Sequence, residues 1–380
     1  MNIRKTTSLV IIILSFALLS SFGIVNAQDP VEDTQPVIEY ILENPDSVAI
    51  FCEIDGQPES TVTLNADEAF PLASTFKTIV LAEMGRQVTT GDIDPMTMVA
   101  LADVNQYWLE GTDGNAHAEW LASLENADDE DAMVTLAEVA YGMIANSSNA
   151  NTDYLLEEYL GYEGFAELYE ALELENTSLI QGTLLGLFLV LDNPETGQAD
   201  LETLDDETML AQGERLQDLY VTDEDWRADM LDHVGTVTGE DSLAFYNRQL
   251  SYFAVYGPMS SARDISTLMG AMYAEESELF SAEAQTFMQD TLNWIFDVNP
   301  ANEDVFIQLG HKGGSLAGIL TGTWYVETIG LPTIRLTVLY RDLSPEIWSG
   351  WQTTGAAELL QLRTFAFGEG CAPFGEAVEE

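Results

Sequence analysis

The chain has 380 residues, 46% of them hydrophobic, with 65 Asp and Glu against 12 Lys and Arg, for a formal net charge of −53. That balance excludes nucleic acid as a general partner and an anionic membrane surface as a stable one, because no basic patch exists to displace counterions or meet lipid headgroups. The apolar share supports one large domain or two intimately joined ones, and the acidity fits high solubility or a saline habitat.

In chain order, residues 1–27 read as an export signal. Arg4 and Lys5 precede the apolar run "SLVIIILSFALLSSFGIV", and "VNA" offers small residues before cleavage at Ala27. A membrane anchor is the alternative reading of that run, which is about long enough to span. Cleavage leaves residues 28–380 with a net charge of about −55, since the leader holds two bases and no acids. The expected location is extracytoplasmic, secreted or periplasmic. The segment "LLGLFLVL" (184–191) is too short to span and reads as a buried element. Export and an even cysteine count imply a disulfide between Cys52 and Cys371, tying the two ends of the fold together. The histidines, His117, His233 and His311, are scattered, so no metal or other cofactor is expected.

"VIEYILEN" looks helical, and "SVAIFCEIDGQ" and "STVTLNADEAF" alternate around "GQPE" as a hairpin. Pro71 to Val88 is a helix start followed by a helix, and residues 102–126 read as loop-rich. Residues 132–160 have helical periodicity broken at "NSSNANT", and "FAELYEALEL" is another helix. From 183 to 241 no period emerges. "SSARDISTLMGAMY" and "SAEAQTFMQDTLNWIF" are amphipathic helices, "GHKGG", "GTWYVETI" and "TIRLTVLY" are strands, and one last helix runs from about Pro345 to Phe367. The expected fold is α+β. A five-stranded antiparallel sheet, built from the first hairpin and the last three strands, is flanked by helices and joined to an all-helical lobe. The α/β lobe takes about 37–73 and 300–370. The helical lobe takes about 74–299, with an unassigned insertion at 184–256, and the cleft between lobes is the expected ligand site.

Lysine is nearly absent: Lys5, Lys77 and Lys312 are the full set. Ser74 precedes Lys77 by one helical turn, so the two share a face. The free N–H groups and dipole at a helix start favour negative charge, and a serine there becomes a nucleophile when a neighbour accepts its proton. A lysine does so once burial or nearby positive charge lowers its pKa. The same spacing also suits a capping serine beside a solvated lysine, but a composition that presses against lysine favours the functional reading. A second group, Ser147-Ser148-Asn149, can aim a hydroxyl and an amide into a cleft, although such residues are common in interhelical turns. In the third, "HKGGSLAG", Lys312 sets a positive charge beside Gly313 and Gly314, where a substrate backbone can approach a strand edge. A turn with a surface lysine is the plain alternative.

In this order the three groups resemble the S-x-x-K, S-D-N and K-T-G set of the penicillin-recognising serine enzymes, class A β-lactamases included. The flanks "MIANSSNANTDYLL" and "SSARDISTLMGAMY" are similar to that family's as well. The resemblance covers about 48–367, apart from 184–256. It implies that Ser74 is acylated and that Lys77 takes its proton, directly or through water. Ser147 passes a proton to the leaving nitrogen, and Asn149 binds the substrate amide and Lys77. Lys312 anchors a substrate carboxylate and lowers the pKa of Lys77. Gly313, Gly314 and Ser315 border the substrate, and the backbone N–H groups of Ser74 and Ser315 form an oxyanion hole. The implied partner is a small β-lactam or a peptidoglycan-type substrate.

Three departures qualify this. Ser148 replaces an aspartate. Gly313 replaces a hydroxyl-bearing residue, for which Ser315 is a partial substitute. No E-x-x-x-N pattern supplies a deacylating glutamate, and Asp192 and Glu195 are candidates only by being acidic and roughly placed. Three functions follow: a secreted class A-like β-lactamase, a D,D-peptidase or esterase of the same superfamily, or a secreted binding protein that keeps the fold without turnover. Tyr107 and Trp108 are expected to pack in the core or rim, Arg335 and Arg341 to pair with acidic groups, and His311 to pack.

Overall fold

The computed structural model describes residues 30–191, 193, 195, 206–237 and 242–378; the expected leader and Asp192 lie outside them. The main sheet contains β1 (Val48–Ile54), β2 (Val62–Leu64), β3 (Phe306–Leu316), β4 (Ile319–Thr328) and β5 (Ile334–Tyr340). Its order is β2-β1-β5-β4-β3, and every neighbouring pair is antiparallel. β1 and β5 are rich in the β-branched and aromatic residues that suit a buried pleat, and they pair from Val48 with Tyr340 to Ile54 with Ile334. The first strand in chain order thus lies beside the last. Cys52 in β1 is disulfide-bonded to Cys371, as expected.

Side-chain alternation along β4 serves two faces. Trp324 packs on Phe365 at 4.9 Å and donates to Gln361 at 2.8 Å. Tyr325 points the other way and stacks on Tyr273 at 4.1 Å. The first face is covered by the C-terminal helices, the second by the helix Ala262–Tyr273. The last helix is not continuous. Gly355, at φ 68°, separates Pro345–Thr354 from Ala356–Phe365, because a left-handed residue cannot propagate a right-handed helix. The stretch 102–126 also departs from the loop expectation. It holds two short helices, Leu101–Asn105 and Ala116–Ser123, the second of which buries His117 and Trp120.

The unassigned insertion is helical. Its described elements are α1 (Thr183–Val190), Asp206–Thr222, Glu224–Val237 and α2 (Ser242–Tyr256). Every residue from Leu184 to Val190 is buried, as expected for that segment. A helix apolar on all sides has no polar face to reveal its period. Around it pack Tyr220 at 5.3 Å and Trp226 at 5.8 Å from Phe188. Among the described residues no helix is long and apolar enough to cross a membrane.

Candidate active site

Ser74 sits in a short 3₁₀ turn, Ala73–Phe76, that leads directly into the helix Lys77–Thr90. Ala73 holds φ 44°, a left-handed conformation that L-residues avoid at a cost of about 1–3 kcal/mol. The turn is pinned to the sheet. Thr321 on β4 donates to the Leu72 carbonyl at 2.8 Å and shares a hydrogen bond with Thr75 at 2.7 Å. A Cβ built on Gly314 would lie 2.7 Å from the Ser74 nitrogen and 2.8 Å from the Leu72 oxygen. Only glycine lets β3 run this close to the Ser74 backbone.

The second group follows a π-helical turn, Gly142–Asn146. Ser147 then takes φ 68°, and Ser148 caps the helix Asn149–Leu155 by accepting from Asn151 N at 3.2 Å. Ser148 Oγ also meets His117 Nδ1 at 2.9 Å, and His117 Nε2 meets Asn105 Oδ1 at 2.8 Å. Burial pushes the His117 pKa down to about 4, so the ring is neutral near pH 7 and serves as a joist. The place of the family's aspartate is therefore structural in this chain. The sequence shows His117 only as an isolated histidine, with no spacing to betray that role.

The structure brings Lys77 and Lys312 together. Lys77 is fully buried and donates to the Ser147 carbonyl at 2.5 Å, to Ser147 Oγ at 3.3 Å and to Asn149 Oδ1 at 2.8 Å. Lys312, 4% exposed, donates to the same Ser147 Oγ at 2.9 Å and to the Gly313 carbonyl at 2.8 Å. Burial lowers the Lys77 pKa to about 7, against an upward pull from Asp113 and Asp153. Lys312 is driven well below the ordinary lysine value by burial and then by the charge of Lys77. A neutral amine beside a protonated one is the state that such a pair favours near neutrality.

Ser74, Ser147, Asn149 and Ser315 line one cleft of about 380 Å³. Ser74 Oγ has no hydrogen-bond partner among the described residues, so the group expected to react is not tied to Lys77 here. Lys312, Gly313 and Gly314 line an adjoining cavity of about 120 Å³, which shares Ser147 and Ser315 with the cleft. The Ser315 hydroxyl is engaged by Trp348 Nε1 at 3.2 Å and by Gln352 Nε2.

Asp113 is the one carboxylate among the described residues lining the cleft. Its Oδ2 accepts from His117 N at 2.9 Å, whereas its Oδ1 is buried with no partner, and burial raises its pKa. It lies in the stretch 102–126 that reads as loop-rich, where no spacing in the sequence marks it as functional. Glu195 is paired with Arg215 and does not line the cleft. Asp153, fully buried, accepts from Thr183 N at 2.5 Å and Leu184 N at 2.9 Å, anchoring the start of α1. The remaining candidates follow expectation. Tyr107 is buried and donates to Glu158 at 2.7 Å, Trp108 packs on His117, and His311 stacks on Trp324 at 3.7 Å. Arg335 pairs with Glu53, and Arg341 with Glu68 at 2.7 Å.

A β-lactamase-like enzyme is the class that this fold and site define. The chain belongs to the Beta-lactamase enzyme family, whose model matches residues 38–328. Solved structures share the fold. A β-lactamase from Sphaerobacter thermophilus is 16% identical with a TM-score of 0.52, over 86% of this chain and 96% of its own. A class A β-lactamase from Bacteroides cellulosilyticus is 15% identical with a TM-score of 0.51, over 87% and 96%. A mutant of PBP-A, in an acyl-enzyme complex with penicillin G, is 14% identical with a TM-score of 0.50, over 89% and 98%. Comparison with curated proteins finds no match.

Proposed function

We propose that the protein is an exported serine hydrolase that forms an acyl-enzyme through Ser74 on a β-lactam or related amide. The observation that carries this reading is the meeting of Lys77 and Lys312 on Ser147 Oγ, beside the cleft that holds Ser74. With a pKa of about 7, Lys77 has a substantial neutral fraction at neutral pH and accepts the Ser74 proton, directly or through one water. Ser74 Oγ then bonds to the carbonyl carbon, and the oxyanion is held by the backbone N–H groups of Ser74 and Ser315. Ser147 delivers a proton to the leaving nitrogen as the C–N bond breaks, and is reprotonated from the lysine pair. Lys312 holds an anionic group of the substrate, and Asn149 binds its amide.

The acyl-enzyme is released by water. In the cleft wall the available carboxylate is Asp113, and its unpartnered Oδ1 is suited to take a proton from that water. The absence of a glutamate among the described lining residues favours a second reading, a slowly deacylating D,D-peptidase or esterase. Residues 28–380 act as one catalytic domain in this proposal. Removal of residues 1–27 and the Cys52–Cys371 bond suit an extracytoplasmic site of action.

Mass spectrometry after incubation with benzylpenicillin tests the nucleophile. A single adduct on the Ser74 peptide, absent in Ser74→Ala, is expected; no adduct on any serine would leave only the fold. Nitrocefin hydrolysis compared with release of D-Ala from an acyl-D-Ala-D-Ala peptide separates the two hydrolase readings.

A further inference from the structure

A small ribbon outside the cleft carries an unusual set of side chains. Its strands, Met98–Ala100 and Met133–Thr135, run antiparallel, with Met98 opposite Thr135, Val99 opposite Val134 and Ala100 opposite Met133. Alternation gives the ribbon two faces. Val99 and Val134 are buried on the inner face, whereas Met98 and Met133 lie on the outer one, 52% and 49% exposed. They are diagonal neighbours across the ribbon, a separation that long side chains span. Met96, 67% exposed, stands one strand repeat ahead of Met98. Its N–H donates to Asp94 Oδ1 at 2.9 Å, and the Thr97 N–H closes the turn on the Asp94 carbonyl at 2.9 Å. The ribbon follows the C-terminal end of the helix Lys77–Thr90, whose 14 residues span about 20 Å from the Ser74 end.

Packing does not account for this placement. Among the described residues, the other methionines are buried or half-buried, so exposed methionine occurs on this ribbon alone. Nor do the surroundings suit an apolar partner. Thr97 is exposed beside the trio, and Asp128, Asp129, Glu130 and Asp131 form an exposed acidic run that ends two residues before Met133. Such a run raises the local concentration of cations. Thioether sulfur is an uncharged, soft donor that selects Cu(I), and it carries no proton to lose or gain at ordinary pH. No stronger soft ligand competes, because Cys52 and Cys371 are bonded to each other and no cysteine is free. Among the described residues no group of His, Cys, Asp or Glu is placed to hold a metal ion, so a harder ion finds no such cage. Methionine has three rotatable bonds, and sulfurs from two adjoining strands can turn onto one ion without moving the backbone.

We propose that Met96, Met98 and Met133 form a surface site for Cu(I), bound through three thioethers and drawn in by the acidic run beside them. The site is independent of the acyl-enzyme reading, because none of its residues lines the cleft.

The test is anaerobic titration of the whole protein with Cu(I), kept reduced by ascorbate and contested by bathocuproine disulfonate, with Ag(I) calorimetry as the redox-inert counterpart. One ion per chain is expected. Met98→Leu and Met133→Leu are each expected to weaken binding by roughly tenfold or more, and the triple variant Met96→Leu, Met98→Leu, Met133→Leu to abolish it. Leucine keeps the size and apolarity of these exposed side chains, so thermal unfolding is expected to stay at the wild-type midpoint. Affinity is expected to hold between about pH 4 and 8, whereas a carboxylate site would weaken as its oxygens protonate near the lower end. Bound Ag(I) is expected to shield these three methionines, and not the half-buried Met259, from peroxide oxidation in peptide mapping. A wild type that binds neither Cu(I) nor Ag(I) overturns the proposal. So does a triple variant that binds as wild type does, since the ion then lies elsewhere. A loss of affinity at acid pH that the triple variant shares also overturns it, because it assigns the ion to the acidic run.

Discussion

Lys77 and Lys312 donate to the same oxygen, Ser147 Oγ, at 3.3 and 2.9 Å. They reach it across 70 and 165 residues of chain. Both amines are buried, and a chain of this acidity offers them no carboxylate within salt-bridge distance among the described residues. Burying a charge without a counter-charge is costly, so one amine is driven neutral. That turns a structural liability into a base.

The pH dependence follows. A general base must be unprotonated, and the Lys77 pKa is lowered to about 7. The rate of Ser74 acylation is expected to rise with pH, with its acid limb centred near pH 7. Stopped-flow measurement with a reporter β-lactam at several pH values checks this. A flat profile from pH 5 to 8 would contradict a titrating lysine base.

Lys77→Arg keeps the charge and removes the chemistry, because a guanidinium does not deprotonate in this range. Acylation is expected to fall by roughly 10²–10⁴-fold. The readout is the rate of adduct formation by mass spectrometry, with circular dichroism to show that the fold persists.

Gly314→Ala places a methyl group 2.7 Å from the Ser74 nitrogen, against backbone that has no rotamer to yield. A stability loss of about 1–3 kcal/mol is expected from overpacking. Acylation should fall about 10²-fold from displacement of the Ser74 turn alone. Thermal unfolding and acylation rates, read together, separate the two effects.

Asp113→Asn addresses deacylation. The adduct on Ser74 is expected to live roughly ten times longer or more, as a proton acceptor for water is lost. A second effect has a definite sign. Asp113 pulls the Lys77 pKa upward, so its neutralisation should move the acid limb of acylation to lower pH. A shorter adduct lifetime, or a limb that moves up, contradicts the assignment.

The Cys52–Cys371 bond spans 319 residues and ties β1 to the C-terminal segment. Replacing both cysteines by serine is expected to cost about 2–5 kcal/mol, mainly by freeing the unfolded chain. Denaturant titration of the double variant against wild type measures it.

Some of this was legible in short segments. Val48–Ile54 and Ile334–Tyr340 carry the β-branched and aromatic residues that a buried pleat selects, so the strands showed without a partner. The Ser74–Lys77 spacing showed because a helical turn is a local property of the backbone, and lysine scarcity gave it weight. The insertion did not show. α1 is apolar on every side, so it has no period to read, and α2 turns aromatic residues toward a cleft that exists only once the sheet is built.

By itself, the sequence determined the strands of the main sheet, the acidic character and the identity of the polar groups that could react. Only the tertiary structure decided that Ser147 would hold both lysines, that Gly314 would lie against the Ser74 amide, and that Asp113 and the α2 rings would share the wall around Ser74. Chain geometry dictates what residues a turn apart can do. Encounters between residues 70 or 165 apart depend on which faces lose water together, and that is settled by the packing of the whole molecule.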